Sequence, residues 1–518
     1  MNFQDLRRHA TEDPARLALS TQERSLTYGE LESHANRLAH VLRALGLQRG
    51  DHAVSLMGNE PDVLALAWAC WRSGVYLTPM STYLTASELA YLVTDSDARA
   101  VFTSARQQTL AQALQASLTV GTCRWLVTDG EFPGFESLVP LLASASDQPC
   151  SDETPGALMM YTSGTTGAPK GVIRPLLPPD WHGTPPFAAD LHTLFGLAGA
   201  DVRYLSTAPL YHAAALRCAL AVTAGGGWVY VMDRFDASTA LDLLASERIT
   251  HSQWVPTMFQ RLLALPLERR QALHAPAHTT ALHGAAPCPP AVKQAMIDWW
   301  GPILLEYYSG SEGIGLTLID SPDALKHPGS VGRARKGTIH IVGSNDEALP
   351  AGQTGVVYFS GVAPFQYHKA PDKTAQRTHP QGWQTFGDIG HVDTEGYLYL
   401  TDRADDMIIS GGVNLYPQEI EQVLRQLPEV WDCAVVGFPD PEFGERPVAF
   451  VVADRASGLA LDALRQRLTE HCAQQLGRLK RPDRFEFTNE LPYSPSGKVL
   501  RRQLRASGSL HTAPQSRR

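Results

Sequence analysis

The sequence predicts an α/β fold with largely parallel sheets, divided into a large N-terminal part and a smaller C-terminal part. Two observations carry that prediction. Apolar residues alternate between helical and strand spacing along the first hundred positions, as parallel strands joined by crossover helices require. Near residue 400 the pattern breaks at a charged segment, Asp402-Arg403-Ala404-Asp405-Asp406, which places a boundary between residues 1–404 and 405–518.

Each element has a local reason. Leu26-Thr27-Tyr28-Gly29-Glu30-Leu31 opens a helical run to Leu45, with Leu31, Ala35, Leu38, Leu42 and Leu45 on one face and Gly46 as its stop. A strand follows at Asp51 to Met57, helical spacing returns from Pro61 to Trp71, and Gly74 to Leu77 reads as the next strand. The cycle repeats with Ala86 to Val93 and then Ala100-Val101-Phe102. Ala213 to Met232 is the most apolar long window. It contains Arg217 and the run Gly225-Gly226-Gly227, so it reads as a buried helix, turn and strand and not as an integral membrane segment. Gly396 to Leu400 reads as a strand, Pro417 to Leu424 as a helix, and Ala506 to Arg518 as a loose polar tail.

Composition bounds the function. The 518 residues are 44% hydrophobic, enough for roughly three core-forming units and against wholesale disorder. With 44 Lys and Arg against 53 Asp and Glu, the formal charge of −9 gives phosphate backbones no clustered cation, which excludes bulk nucleic-acid binding. Residues after 402 are relatively basic, with 16 Lys and Arg against 15 Asp and Glu. Seven scattered cysteines without a C-x-x-C pair match neither a disulfide framework nor a zinc site. Together with an N-terminus that lacks the basic-then-apolar order of a secretory leader, they point to a cytoplasmic location.

The segment Tyr161-Thr162-Ser163-Gly164-Thr165-Thr166-Gly167-Ala168-Pro169-Lys170-Gly171 follows the apolar stretch 157–160. Glycines let the backbone approach an anion, consecutive N–H groups form a nest, hydroxyls add donors and Lys170 adds charge, so the segment suits a phosphate. Gly171 stands where a Walker A loop needs Ser or Thr.

This segment resembles the signature loop of the adenylate-forming superfamily of acyl-CoA synthetases, luciferases and peptide-synthetase adenylation domains. The likeness covers nearly the whole chain. Pro209-Leu210-Tyr211-His212, Gly284-Ala285-Ala286-Pro287, Tyr308-Ser309-Gly310-Ser311-Glu312, Gly387-Asp388, the run Asp402 to Glu421 and Ser494-Pro495-Ser496-Gly497-Lys498 follow in the expected order. The resemblance implies a large domain with a small β-rich region and a small, mobile C-terminal α+β domain. It also implies a two-step reaction, in which a carboxylate attacks the α-phosphate of ATP to give an acyl-adenylate and pyrophosphate, and the thiol of CoA then displaces AMP.

The same resemblance assigns roles. Lys498 would bridge carboxylate and α-phosphate, as a transition state that joins two anions demands. Glu312 would hold Mg²⁺, a hard ion that prefers oxygen ligands. Thr162, Ser163, Gly164, Thr165, Thr166, Gly167 and Lys170 would cradle phosphates, with Ser311 adding a hydroxyl. Gly284, Ala285 and Ala286 would lie against the adenine face, and Tyr308 is a further cofactor-binding candidate. Asp388 would accept hydrogen bonds from the ribose hydroxyls, and Arg403 would add a ribose or phosphate contact. Asp405 would be the hinge of the small domain, and Ser410, Gly411 and Gly412 would line the pantetheine tunnel after rotation. His212 would orient the carboxylate or gate the pocket, and Trp254 would wall it. Lys480, Arg481, Arg501 and Arg502 read as a solvated basic face or as contacts to CoA phosphates.

Departures narrow the inference. Ser309 and Ser311 replace the usual glycine and threonine, and Ser309 adds bulk near the acyl pocket. Tyr211-His212 offers no carboxylate for a substrate ammonium, which disfavours an amino acid. Gly355-Val356 lacks the family's glutamate. The expected activity is an ATP- and Mg²⁺-dependent ligase joining a hydrophobic fatty or aryl acid to CoA, with a homodimer left open. Loading of a carrier-protein pantetheine, a non-catalytic acyl or nucleotide sensor, and a luciferase-like oxygenase are the alternatives.

Overall fold

A computed structural model describes residues 4–118, 123–162, 169–181, 183–403, 406–410, 413–454, 457–493 and 499–508. The alternating pattern folds as an α/β architecture with two large sheets. The first has six strands, all parallel, in the spatial order Glu136–Ser137, Arg124–Val127, Ala98–Thr103, His52–Leu56, Tyr76–Pro79, Ala157–Leu158. The second has nine strands. Its centre, Leu304–Tyr308, Thr280–His283, His251–Trp254, Arg203–Ser206, Trp228–Val231 and Leu17–Ser20, is parallel, and its edges, Arg333–Lys336, Leu316–Asp320 and Ser25–Thr27, run antiparallel.

Helices Tyr28–Ala44, Pro61–Trp71 and Ala213–Gly225 share one apolar core with both sheets. The first starts two residues later than the sequence pattern indicates, because Ser25–Thr27 pairs as a strand. Thr27 then caps the helix, its hydroxyl accepting from Glu30 N while the Glu30 carboxylate accepts from Thr27 N. Such a reciprocal cap contributes about 1 kcal/mol. Pro61–Trp71 has no polar face over residues 63–70, all of which are buried. A helix apolar all round belongs between two layers. The apolar window beyond residue 213 is helix Ala213–Gly225, turn and strand Trp228–Val231, as expected. Gly226 closes the helix at φ 90°, and a Cβ on Gly227 would lie 2.8 Å from Val202 O.

A four-stranded antiparallel sheet follows, Thr338–Val342, Gly355–Ser360, Gln384–Val392 and Leu398–Arg403. Its last strand begins two residues after the expected Gly396, which sits in the preceding turn at φ 86°. Beyond residues 404–405 a five-stranded sheet carries helices Pro417–Leu424 and Leu461–Gln475 around Ile408, Leu415, Ile420, Val435, Val451 and Leu468. Helix Arg501–Gly508 occupies part of the segment expected to be a loose tail. All seven cysteines are free thiols. No helix among the described residues is long and apolar enough to cross a membrane.

Candidate active site

In an open parallel sheet, ligands bind outside the carboxyl ends of the strands. Four neighbouring strands of the nine-stranded sheet end at sequence-selected residues. Arg203–Ser206 leads to His212, His251–Trp254 ends on Trp254, Thr280–His283 leads to Gly284, and Leu304–Tyr308 ends on Tyr308 just before Ser311 and Glu312.

The signature segment begins and ends on a ladder. Thr162 pairs with Lys170 across antiparallel strands Met160–Thr162 and Lys170–Ile173, so Lys170 starts a strand and does not sit in an open loop. Ser163, Gly164, Thr165, Thr166 and Gly167 lie outside the described residues. The Lys170 ammonium stands 5.3 Å from the ring centroid of Tyr367. Strand Gln366–Tyr367 brings that ring there by pairing Tyr367 with Val172.

Tyr367 also donates its hydroxyl to Glu312 Oε1 at 2.9 Å. One tyrosine therefore touches both the cation expected to meet phosphate and the carboxylate expected to meet Mg²⁺. Burial, and next the Glu312 charge, push the Tyr367 hydroxyl above its ordinary pKa, so it stays a donor. Glu312 is 9% exposed, and its Oε2 has no hydrogen-bond donor among the described residues. A carboxylate oxygen left open in this way fits a hard divalent ion. Two arginines hold the backbone around it. Arg174 Nη2 donates to Glu312 O at 2.8 Å and Gly313 O at 3.0 Å, and Arg217 Nη2 donates to Ser311 O at 3.4 Å.

The nucleoside candidates also converge. Tyr308 donates its hydroxyl to Asp388 Oδ2 at 2.5 Å, and Asp388, 7% exposed, pairs in register with Arg403 across Gln384–Val392 and Leu398–Arg403. The side chain of Arg403 lies outside the described residues. A Cβ on Gly284 would come within 2.6 Å of Tyr307 O and 3.0 Å of Tyr307 Cζ, so no side chain fits there. Ala285 adopts φ 69°, a left-handed conformation that a non-glycine residue enters at a cost of about 1–3 kcal/mol. With Ala286 these residues make a face poor in side chains beside Tyr308. His212 sits at the N-cap of helix Ala213–Gly225 in extended conformation, its ring 4.6 Å from that of Tyr211.

The C-terminal candidates are placed less completely. Asp405, Gly411, Gly412 and Lys498 lie outside the described residues. Ser410 ends strand Ile408–Ser410 with 1% exposure, so its hydroxyl faces the interior and not an open tunnel. The expected basic face is largely neutralised. Arg501 bonds Asp406 at 3.4 Å and Glu421 at 2.7 Å, Lys480 bonds Glu419 at 2.5 Å, and Arg481 is spent on the carbonyls of Leu476 and Ala473. Of the four, Arg481 and Arg502 are exposed.

The residues missed in the sequence are Tyr367, Arg174 and the chain Tyr204–Gln253–Tyr307. Tyr204 donates to Gln253 Oε1 at 2.9 Å, and Gln253 Nε2 donates to the Tyr307 hydroxyl at 2.7 Å. None lies in a recognisable motif, and Tyr367 meets Glu312 across 55 positions of sequence.

Comparison with known proteins identifies the family. The profile described as AMP-binding enzyme matches residues 6–366, and that of the AMP-binding enzyme C-terminal domain matches residues 419–498. The chain is 34% identical over 513 residues to the long-chain-fatty-acid–CoA ligase FadD13 of Mycobacterium tuberculosis, covering 96% of this chain and 97% of that protein. It is 33% identical over 502 residues to the feruloyl-CoA synthase of Amycolatopsis sp., covering 96% and 97%. The structure of ATP-bound MatB from Rhodopseudomonas palustris is similar at a TM-score of 0.83 and 29% identity, covering 98% of this chain and 99% of that one.

Proposed function

The chain belongs to the AMP-binding enzyme family, and on that premise we propose that it is an AMP-forming acid–thiol ligase. It activates a hydrophobic fatty or aryl carboxylic acid with ATP as the acyl-adenylate and transfers the acyl group to CoA. The observation that carries the site assignment is Tyr367, whose hydroxyl bonds Glu312 while its ring supports Lys170.

The residues divide the work. Lys170 and the segment 162–167 bind the phosphates of ATP. Gly284, Ala285 and Ala286 give adenine a flat seat against Tyr308, and Asp388 accepts from the ribose diol. Glu312 is the Mg²⁺ ligand, and the ion would neutralise phosphate charge when bound. Arg174 and Arg217 fix the backbone that presents Ser311 and Glu312. His212, at the mouth beside Tyr211, orients the reacting carboxylate. Lys498 reaches the α-phosphate and the carboxylate together, which lowers the barrier between two like charges. The small unit, 405–518, then turns at Asp405, withdraws Lys498 and brings 410–412 to the pantetheine arm. The acid, ATP and CoA are its partners in the cytoplasm.

Pyrophosphate release from ATP and a panel of fatty and aryl acids, with and without CoA, tests the assignment. Acid-dependent pyrophosphate together with CoA-dependent thioester is the expected result. Absence of pyrophosphate with every acid would overturn it, and thioester formed only on a carrier protein would redirect the second step.

A further inference from the structure

Lys170 and Tyr367 belong to a small three-stranded antiparallel sheet, with strand Lys170–Ile173 between Met160–Thr162 and Gln366–Tyr367. Strands of three, four and two residues have few ladder bonds of their own, so the sheet depends on what it is fastened to. Lys170 stands beside Tyr367, which bonds Glu312, and so lies at the end of the site assigned to Mg²⁺ and phosphate. Its placement there is set by residues of another element.

Helix Ala86–Asp95 opens on a capping box of Thr85 and Glu88 and buries Leu89, Leu92 and Val93 among Val54, Leu56 and Val101 of the six-stranded sheet. Tyr91 and Asp95, four residues apart, share one face of it. The Tyr91 hydroxyl donates to Pro169 O at 3.1 Å, and Asp95 Oδ2 accepts from the Tyr161 hydroxyl at 2.6 Å. Pro169 O belongs to the peptide unit that enters Lys170, and Tyr161 pairs with Gly171 across the ladder. One helix face thus fastens both strands of the pair at the level of Lys170.

The third strand is fastened at the same place. Asp97, two residues past the helix at φ 53°, pairs with Lys369 at 2.6 Å, and His368 N donates to Gly171 O at 2.8 Å. Asp97 and Lys369 are exposed, so their ion pair contributes least. The bond from Tyr161 to the Asp95 carboxylate is part-buried and contributes most.

We propose that Tyr91 and Asp95 are positioning residues for ATP: they set the strand pair that carries Lys170 against the polyphosphate, and so govern affinity for the triphosphate without touching it. This rests on the ligase assignment, in which Lys170 meets the phosphates, and adds two residues that lie outside every motif of the sequence. Mg²⁺ is held by a carboxylate together with substrate phosphates, so Lys170, beside Glu312, belongs with the β- and γ-phosphates. AMP lacks both, which confines the expected effect to ATP.

Equilibrium binding of MgATP and of AMP to the full chain tests it, with thermal unfolding of each variant alongside. Tyr91→Phe and Asp95→Ala are each expected to raise the Kd for MgATP about threefold to tenfold, the range that one hydrogen bond covers, and to leave that for AMP within about twofold. Asp95→Asn keeps an oxygen acceptor for Tyr161 and should restore most of the affinity. With an acid that supports turnover, the loss should fall on KM for ATP more than on kcat. An unchanged Kd for MgATP, or equal weakening of MgATP and AMP, would overturn the proposal and leave the contacts as structural support. If Asp95→Ala does not fold, Tyr91→Phe, which deletes one surface hydroxyl, decides. Should the unmodified chain bind MgATP yet release no pyrophosphate with any acid, the ligase assignment would fall and the binding comparison would still judge Tyr91 and Asp95. Should it bind no nucleotide, both would fall.

Discussion

The Tyr367 hydroxyl donates to Glu312 Oε1 at 2.9 Å while the same ring lies 5.3 Å from the Lys170 ammonium. A carboxylate and a cation, proposed to act on one nucleotide, are thus spaced by a single side chain. Hydrogen bonds to charged groups contribute about 1.5–3 kcal/mol. Tyr367→Phe keeps the ring and removes the donor, so it should lower the adenylation rate about tenfold and raise the Mg²⁺ concentration needed for half-maximal rate. Pyrophosphate release over a Mg²⁺ titration checks this, and an unchanged titration would separate Tyr367 from the metal.

Gly284→Ala forces a Cβ to within 2.6 Å of Tyr307 O, a backbone atom that cannot swing away. Overpacking of this kind typically costs about 1–3 kcal/mol. The expected outcome is a lower unfolding midpoint together with a raised KM for ATP, because the displaced residues form the proposed adenine seat. Thermal unfolding with and without ATP separates the two effects.

Lys498→Ala should reduce adenylation by about 10²–10³-fold, the usual loss for one transition-state donor. Thioester formation from supplied acyl-adenylate should be largely spared. Single-turnover assays of each half-reaction measure the split, and equal losses would contradict a lysine that acts in the first step alone.

Acid should destabilise the fold through its buried histidines. Burial, and next His368, lower the His52 pKa to about 4; burial, and next His251, lower that of His278 to about 3. Both rings stay neutral in the native state while the unfolded chain takes up protons near pH 6.5. The unfolded state binds more protons between these values, so stability rises with pH there and is complete above about 6.5. Each histidine contributes roughly 1.4 kcal/mol per pH unit across its window. Urea midpoints at pH 7 and pH 5 should differ, and His52→Phe, which keeps the stack on Tyr76, should reduce the difference.

What the sequence discloses is the part that chain order controls. Helix Pro61–Trp71 lies where its spacing places it, because Pro61 fits the first turn and an unbroken apolar run defines its length. Gly284 directly follows strand Thr280–His283, Tyr308 ends strand Leu304–Tyr308 and Glu312 comes four residues later, so chain order alone sets these three at one end of the sheet. Tyr367 was not legible, since its strand has two residues and only the pairing with Val172 aims its ring. Arg501 was misread for a related reason. A string of basic residues reads as solvated surface until the fold sets Asp406 and Glu421 against one of them.

That last contact has a mechanical consequence. Arg501 ties Asp406, just past the proposed pivot, to the far flank of segment 494–498, while Tyr493 on the near flank is anchored to Asp432 at 2.6 Å. Residues 493 and 501, which bracket positions 494–498 in the chain, are thus both held to the C-terminal unit. In the proposed turn at residue 405, Tyr493 and Arg501 would therefore move together with the C-terminal unit. Arg501→Met would release one bracket and leave the Tyr493–Asp432 bond as the other.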